Sequence, residues 1–153
     1  RRSREFRPGH RIETRWNGSE VRCDADPDRM KQIFWNLATN ALKAMPSGGT
    51  LTLDLLAKEE ERQVEIVFQD EGVGMDEKEV DSYFQPFHGR FEEGTGLGAA
   101  IVYRLVQEHG GRITLDSRPG GGTTVRIRIP VEAAAPRSAE PALREAAAGG
   151  TTR

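Results

Sequence analysis

The sequence predicts an α+β fold: a two-layer α/β sandwich, with helices on one face of a mostly antiparallel, mixed sheet. Three observations predict it. The elements run strand, helix, two strands, helix, two strands. Two long segments carry apolar residues at helical spacing on one side only. The two strand pairs are each joined by a short charged or glycine-rich turn, which makes antiparallel hairpins.

Residues 11–16 (RIETRW) alternate polar and apolar, as a half-buried strand does, and residues 21–23 suit a short partner strand. Asp26-Pro27 reads as an N-cap followed by the first helical position. Met30, Ile33, Phe34, Leu37, Ala41 and Leu42 then recur at helical spacing, until Pro46 and Gly48-Gly49 end the helix. Residues 50–56 and 64–70 form a hairpin around KEEERQ. A glycine turn and a short helical stretch over 76–83 follow. Residues 85–98 are rich in glycine and proline and read as a long loop, which in a compact domain is usually functional. A second helix covers 98–109 and stops at Gly110-Gly111. Residues 112–117 and 123–130 make the closing hairpin over RPGGG.

Three segments result: an N-terminal linker remnant over 1–10, a folded domain over 11–130, and an Ala/Pro-rich tail over 131–153 with hardly any large apolar residue, expected to be disordered. The chain has 153 residues, enough for one domain. Twenty-two Lys+Arg against 24 Asp+Glu give a formal charge of -2. That balance provides no basic footprint for nucleic acid and no polybasic membrane patch. One cysteine, Cys23, excludes an intramolecular disulfide and suits a reducing, cytoplasmic setting; its plainer reading is a small buried strand residue. No apolar run reaches the roughly 18 residues of a membrane helix. The first residues lack a signal-peptide core and a starting Met, so a piece of a longer chain is expected; any membrane anchor of the parent would lie outside it.

At about 100° per residue, Asn36, Asn40 and Lys43 share an arc of roughly 60° on the flank of the first helix. Amide oxygens suit the oxygen shell of Mg²⁺ and an ammonium suits phosphate; the same residues also suit a solvated polar flank. Asp70 ends the apolar strand VEIVFQD, where its carboxylate would accept hydrogen bonds from an amino group such as adenine N6. Gly72 and Gly74 beyond it permit a close ligand approach; a plain β-turn is the alternative. Gly94-Thr95-Gly96-Leu97-Gly98 precedes the second helix, and bare backbone at a helix N-terminus is a phosphate-binding arrangement. No strand precedes it and no Gly-Lys-Ser/Thr follows, which argues against a dinucleotide fold and a Walker loop. Thr123 opens the last strand, with or without a further role.

In order, NLATNALKAMPSGGTLTL, DEGVGM, YFQPF, GTGLGAAIVYRLVQEHGGRI and GGTTVRIRIP resemble the N, G1, F, G2 and final threonine boxes of sensor histidine kinases. The resemblance covers about residues 11–130 and implies the Bergerat ATP-binding fold shared with gyrase and heat-shock chaperones. It implies ATP and Mg²⁺ as cofactors. Asn40 would be the principal Mg²⁺ ligand, with Asn36 near the metal and γ-phosphate and Lys43 on phosphate. Asp70 would hold adenine N6, assisted by a water that Thr123 also binds. Gly72, Gly74 and Met75 would line the nucleotide. Gly94, Thr95, Gly96, Leu97 and Gly98 would form the lid hinge near the phosphates. Phe84 and Phe87 would anchor the lid, and Arg90 would supply a phosphate cation.

The sequence departs from the pattern at His88-Gly89-Arg90, where a threonine pair and a lysine often stand, at Ala99 for leucine and at Glu71 for asparagine. None of the histidines, His10, His88 and His109, has the helical His-Glu/Asp context of a phosphoacceptor. The implied activity is γ-phosphoryl transfer to a histidine on a separate dimerisation/phosphoacceptor helical domain, then relay to a response regulator receiver domain. The parent kinase would be a homodimer and this piece a monomer. The alternatives are a non-catalytic nucleotide-binding or interaction module, and an anti-sigma-factor-type serine kinase, which would favour Glu at position 36.

Overall fold

The computed structural model describes residues 9–17, 25–85 and 98–131. The proposed strand at 21–23, Cys23, the linker through residue 8 and the tail from 132 lie outside them. Strands β1 (His10–Trp16), β2 (Gly49–Lys58), β3 (Gln63–Asp70), β4 (Arg112–Ser117) and β5 (Thr123–Pro130) form one sheet, in the order β1-β2-β3-β5-β4. Only the β1–β2 pairing is parallel. Helices α1 (Pro27–Lys43), α2 (Glu77–Ser82) and α3 (Gly98–Glu108) complete the described elements. This is the mixed, mostly antiparallel sheet that the hairpin pattern implies.

Alternation decides the layers. On β3 Val64, Ile66 and Phe68 point to one face, opposite Ile129, Ile127 and Val125 of β5. These residues pack with Ile33, Leu37, Leu42, Val102, Leu105 and Val106 of α1 and α3 into one core. Phe34 of α1 meets Phe68 with ring centroids 5.4 Å apart. The sheet's other face carries charge. There Glu65, 4% exposed, takes a hydrogen bond from Arg128 Nε at 3.0 Å, with Lys58 Nζ at 3.6 Å. Burial alone would raise the Glu65 carboxyl, but the Arg128 bond and the two cations outweigh it and hold the group below the usual range.

α1 begins as its sequence dictates. Asp26 is the N-cap, its Oδ1 accepts from Asp28 N at 2.9 Å, and Pro27 follows. The same end is fastened to the last turn of α3. His109 Nε2 accepts from Asp26 N at 3.3 Å, while its Nδ1 donates to Leu105 O at 2.7 Å. Arg29 bridges to Glu108 at 3.0 Å. β1 differs from expectation. Its alternation suggests a half-buried strand, yet Ile12 is 39% and Trp16 48% exposed. β1 is the sheet's edge and pairs on one side only, whereas α1 packs over β2 and β3.

Ile127, fully buried between sheet and helices, sets a stability prediction. Ile127→Ala should lower the unfolding free energy by about 2–5 kcal/mol, whereas Lys31→Ala on the exposed side of α1 should stay within about 0.5 kcal/mol. Urea denaturation of both variants measures this.

Candidate functional site

The site is built where β3 ends and β5 begins, beside the last turns of α1. β3 is buried along most of its length and delivers Asp70, 8% exposed, to the rim of the core. Asp70 Oδ1 accepts two backbone hydrogen bonds, from Gly72 N at 2.8 Å and Thr123 N at 3.2 Å. Among the described residues its Oδ2 takes none. Burial raises the carboxyl above the usual aspartate range, and the two N–H bonds oppose that rise.

The turn after Asp70 is clamped from both sides. Val73 N donates to Ala44 O at the end of α1 (2.9 Å), and Val73 O accepts from Gly120 N in the β4–β5 turn (2.7 Å). This crowding explains the glycines. A Cβ at Gly72 would lie 2.4 Å from Ala44 O, and one at Gly74, φ +71°, 1.9 Å from Arg118 O. Both are needed for the approach of the protein's own backbone, a requirement separate from any room they leave for a ligand. Glu71 faces away and accepts from Thr50 N at 3.1 Å.

Thr123 is held by a residue that the sequence reading missed. Ser117 lies opposite it in the β4–β5 register, and their hydroxyl oxygens are 2.8 Å apart. Ser117 Oγ also donates to Gly122 O at 2.9 Å and accepts from Met75 N at 2.9 Å. Since its one proton goes to Gly122, the Thr123 hydroxyl is the donor between them. The hairpin register was the signal that could have found it.

The end of α1 lies beside this turn, with Asn36, Asn40 and half-buried Lys43 on its last two turns. Asn36 Nδ2 donates to Gly98 O, in the first turn of α3, at 3.4 Å. Asn40 Nδ2 donates to Tyr83 Oη, just after α2, at 3.0 Å. Tyr83 is a second residue that the sequence does not disclose, because nothing in the local spacing of YFQPF signals a contact 43 residues away. Burial chiefly, helped by the charge of Asp70 and opposed by the Asn40 bond, raises the Tyr83 phenol, which is therefore neutral at pH 7. Phe84 stacks edge-on to Tyr83 at 5.0 Å and meets Tyr103 of α3 at 5.5 Å.

Both amides thus have their nitrogens occupied by protein. Among the described residues neither Oδ1 takes a hydrogen bond, so two neutral oxygens remain for a cation. No group of three or more His, Cys, Asp or Glu able to hold a metal exists among the described residues. That donor set fits Mg²⁺, which keeps waters and takes oxygens from bound phosphates rather than from an all-protein cage. Phe87, His88, Arg90, Gly94, Thr95, Gly96 and Leu97 lie outside the described residues. His10 Nε2 sits 2.8 Å from Met45 O, and His109 serves the helix junction.

Asp70→Asn keeps an Oδ1 for both N–H bonds and removes the buried charge. Because the folded carboxyl titrates above its unfolded value, ionisation destabilises the fold; the penalty is absent below the unfolded pKa and complete above the folded one. Urea midpoints should therefore show the wild type losing stability relative to Asp70→Asn as pH rises from acid to neutral. A gain over that range would reverse the assignment.

Residues 25–133 match the family model described as histidine kinase-, DNA gyrase B-, and HSP90-like ATPase. The chain is 36% identical over 119 residues to sporulation kinase A of Bacillus subtilis, covering 78% of this chain and 19% of that protein. Among solved structures, the nucleotide-free catalytic domain of histidine kinase ThkA superposes with a TM-score of 0.69 at 26% identity, covering 79% of this chain and 78% of that one. Full-length ShkA in complex with AMPPNP gives a TM-score of 0.67 at 30% identity, covering 78% and 26%. With an acidic rim, a clamped glycine turn and paired amides on α1 set in this sheet, the chain belongs to the histidine kinase-, DNA gyrase B- and HSP90-like ATPase family.

Proposed function

We propose that this domain binds Mg²⁺-ATP and transfers the γ-phosphoryl group to a histidine on a separate dimerisation and phosphoacceptor helical domain, for relay to a response regulator. The observation that carries the reading is the convergence of two unlike sets at one end of the sheet: Asp70 bonded to Thr123, and the α1 amide Asn40 bonded to Tyr83, whose phenol feels the Asp70 charge. Support comes also from sporulation kinase A and ThkA, whose names state histidine kinase or kinase function.

In this reading Asp70 Oδ2 accepts from the adenine amino group, while Oδ1 keeps the backbone in place. Thr123, oriented by Ser117, holds the water between base and carboxylate. Asn40 and Asn36 present their oxygens to the cation, with Asn40 the principal ligand. Mg²⁺, when bound, offsets and aligns phosphate charge, in a reaction that depends mainly on positioning and electrostatics. Lys43, one turn beyond Asn40, faces phosphate, and Arg90 adds a second cation. Met75 and Gly98 flank the nucleotide, with Gly94, Thr95, Gly96, Leu97 and Phe87 in the lid over it. The chain spans 19% of sporulation kinase A, so the acceptor domain and the regulator are assigned by kinship in kind. No described helix is long and apolar enough to cross a membrane, and we place the domain in the cytoplasm, working as a monomer tethered in a homodimeric parent.

Three results test this. Asp70→Asn should weaken ATP binding by at least about two orders of magnitude, since an amide nitrogen would confront the adenine amino group and a buried hydrogen bond would be lost. Asn40→Ala should abolish Mg²⁺-dependent transfer to a supplied histidine hairpin. Normal affinity and transfer in both variants would sink the site. The chain alone should incorporate no acid-labile phosphate from ATP; incorporation would make His10 or His88 an acceptor. Tight Mg²⁺-dependent binding without transfer to the hairpin would instead favour a non-catalytic nucleotide module.

A further inference from the structure

The hydroxyl of Tyr83 has no packing duty. Its ring already packs edge-on against Phe84, at 5.0 Å and 83°, and a phenylalanine would make that contact equally well. What the oxygen adds is one hydrogen bond, accepted from Asn40 Nδ2 at 3.0 Å. An amide is nearly symmetric in shape but not in function: turned by 180° about its last bond, it presents a donor where an acceptor is needed. A donor facing a cation would be repelled. A phenol can accept or donate, but only the arrangement seen here, in which it accepts from Asn40 Nδ2, leaves Oδ1 for a cation.

The position of Tyr83 is itself well determined. It is the C-cap residue of α2, its N–H donates to Val80 O, and α2 starts in a capping box in which Asp76 and Glu79 bond each other's backbone. The phenol oxygen is therefore placed to accept from Asn40 Nδ2 and to hold the amide in that orientation. We propose that Tyr83 is a positioning residue for the metal site: by accepting from Asn40 Nδ2, it turns Asn40 Oδ1 toward Mg²⁺. The inference rests on the Mg²⁺-ATP reading above and adds to it a residue outside the N and G boxes.

The test is calorimetric binding of a non-hydrolysable ATP analogue to the 153-residue chain, measured in EDTA and across a MgCl₂ titration. Tyr83→Phe keeps the ring. Its affinity for the analogue in EDTA should match the wild type, whereas the Mg²⁺ concentration at half-effect should rise roughly threefold to tenfold, the size of one lost hydrogen bond. Asn40→Asp provides the control for mechanism. A carboxylate has oxygen at both positions and needs no orientation, so adding Tyr83→Phe to Asn40→Asp should leave the Mg²⁺ midpoint unmoved. An unchanged Mg²⁺ midpoint in Tyr83→Phe would overturn the proposal. So would equal weakening with and without Mg²⁺, which is the mark of a merely structural tyrosine, or an equal shift in the Asn40→Asp background. Failure of the underlying reading looks different: the wild type itself would bind the analogue without any Mg²⁺ dependence, or not bind it.

Discussion

Everything at the site end of this molecule hangs on one oxygen. Asp70 Oδ1 accepts from Gly72 N and from Thr123 N, and so joins the end of β3, the turn that follows it and the start of β5. The arrangement is not a stabilising one in isolation. A carboxylate 8% exposed loses hydration that two N–H groups only partly restore, and the upward shift of its titration records the deficit. Sites that trade stability for a placed charge are where function is expected. From this pin the turn runs directly into its clamp between Ala44 O and Gly120 N. The C-terminal end of α1 is thereby tied to the sheet through the backbone bond from Val73 N to Ala44 O.

The other end of α1 is registered differently. His109 accepts the Asp26 N–H, and Arg29 reaches Glu108. The ion pair is exposed on both sides and contributes little, on the order of 0–1 kcal/mol. The histidine does more, because it satisfies a backbone donor at a helix start that the helix itself cannot satisfy. α1 is thus tied to α3 at its beginning and to the glycine turn at its end. Asn36 and Asn40 lie between the two ties, on a stretch whose apolar side is sealed by Ile33, Leu37 and Phe68. A rigid helix holding short side chains places amides better than a loop does.

Much of this was legible in the residues. The Asp26-Pro27 start, the apolar spacing of α1 and the two hairpins follow from local chemistry, and the structure has them within one to three residues of the expected bounds. The N-box amides and Asp70 stood out because polar residues at the edge of apolar elements are few. What could not be read was anything set by approach across the chain. A Cβ at Gly72 or Gly74 would strike the backbone of Ala44 or Arg118, a constraint that local sequence does not carry. β1 alternates like a half-buried strand but lies at an edge, and alternation does not state what covers a face. Ser117 was recoverable from the hairpin register. Tyr83 was not, since its partner is 43 residues away and no periodicity links α2 to α1.

The charge pattern of the two sets argues for an order of events in the proposed reading. The sheet side carries a full negative charge at Asp70, while the described oxygens on the α1 side are amides and carry none. A bare divalent cation is strongly hydrated, and two neutral oxygens do not replace that shell. The same amides become adequate once phosphate oxygens supply the charge, so the cation belongs to the nucleotide more than to the protein. A carboxylate in place of either amide would favour the ion before the nucleotide arrived, and would repel phosphate in its absence. In that reading, asparagine at both positions would make metal and nucleotide bind as one ligand. It also makes the orientation of each amide matter more than its charge, because a neutral group acts on a cation only through the end it presents.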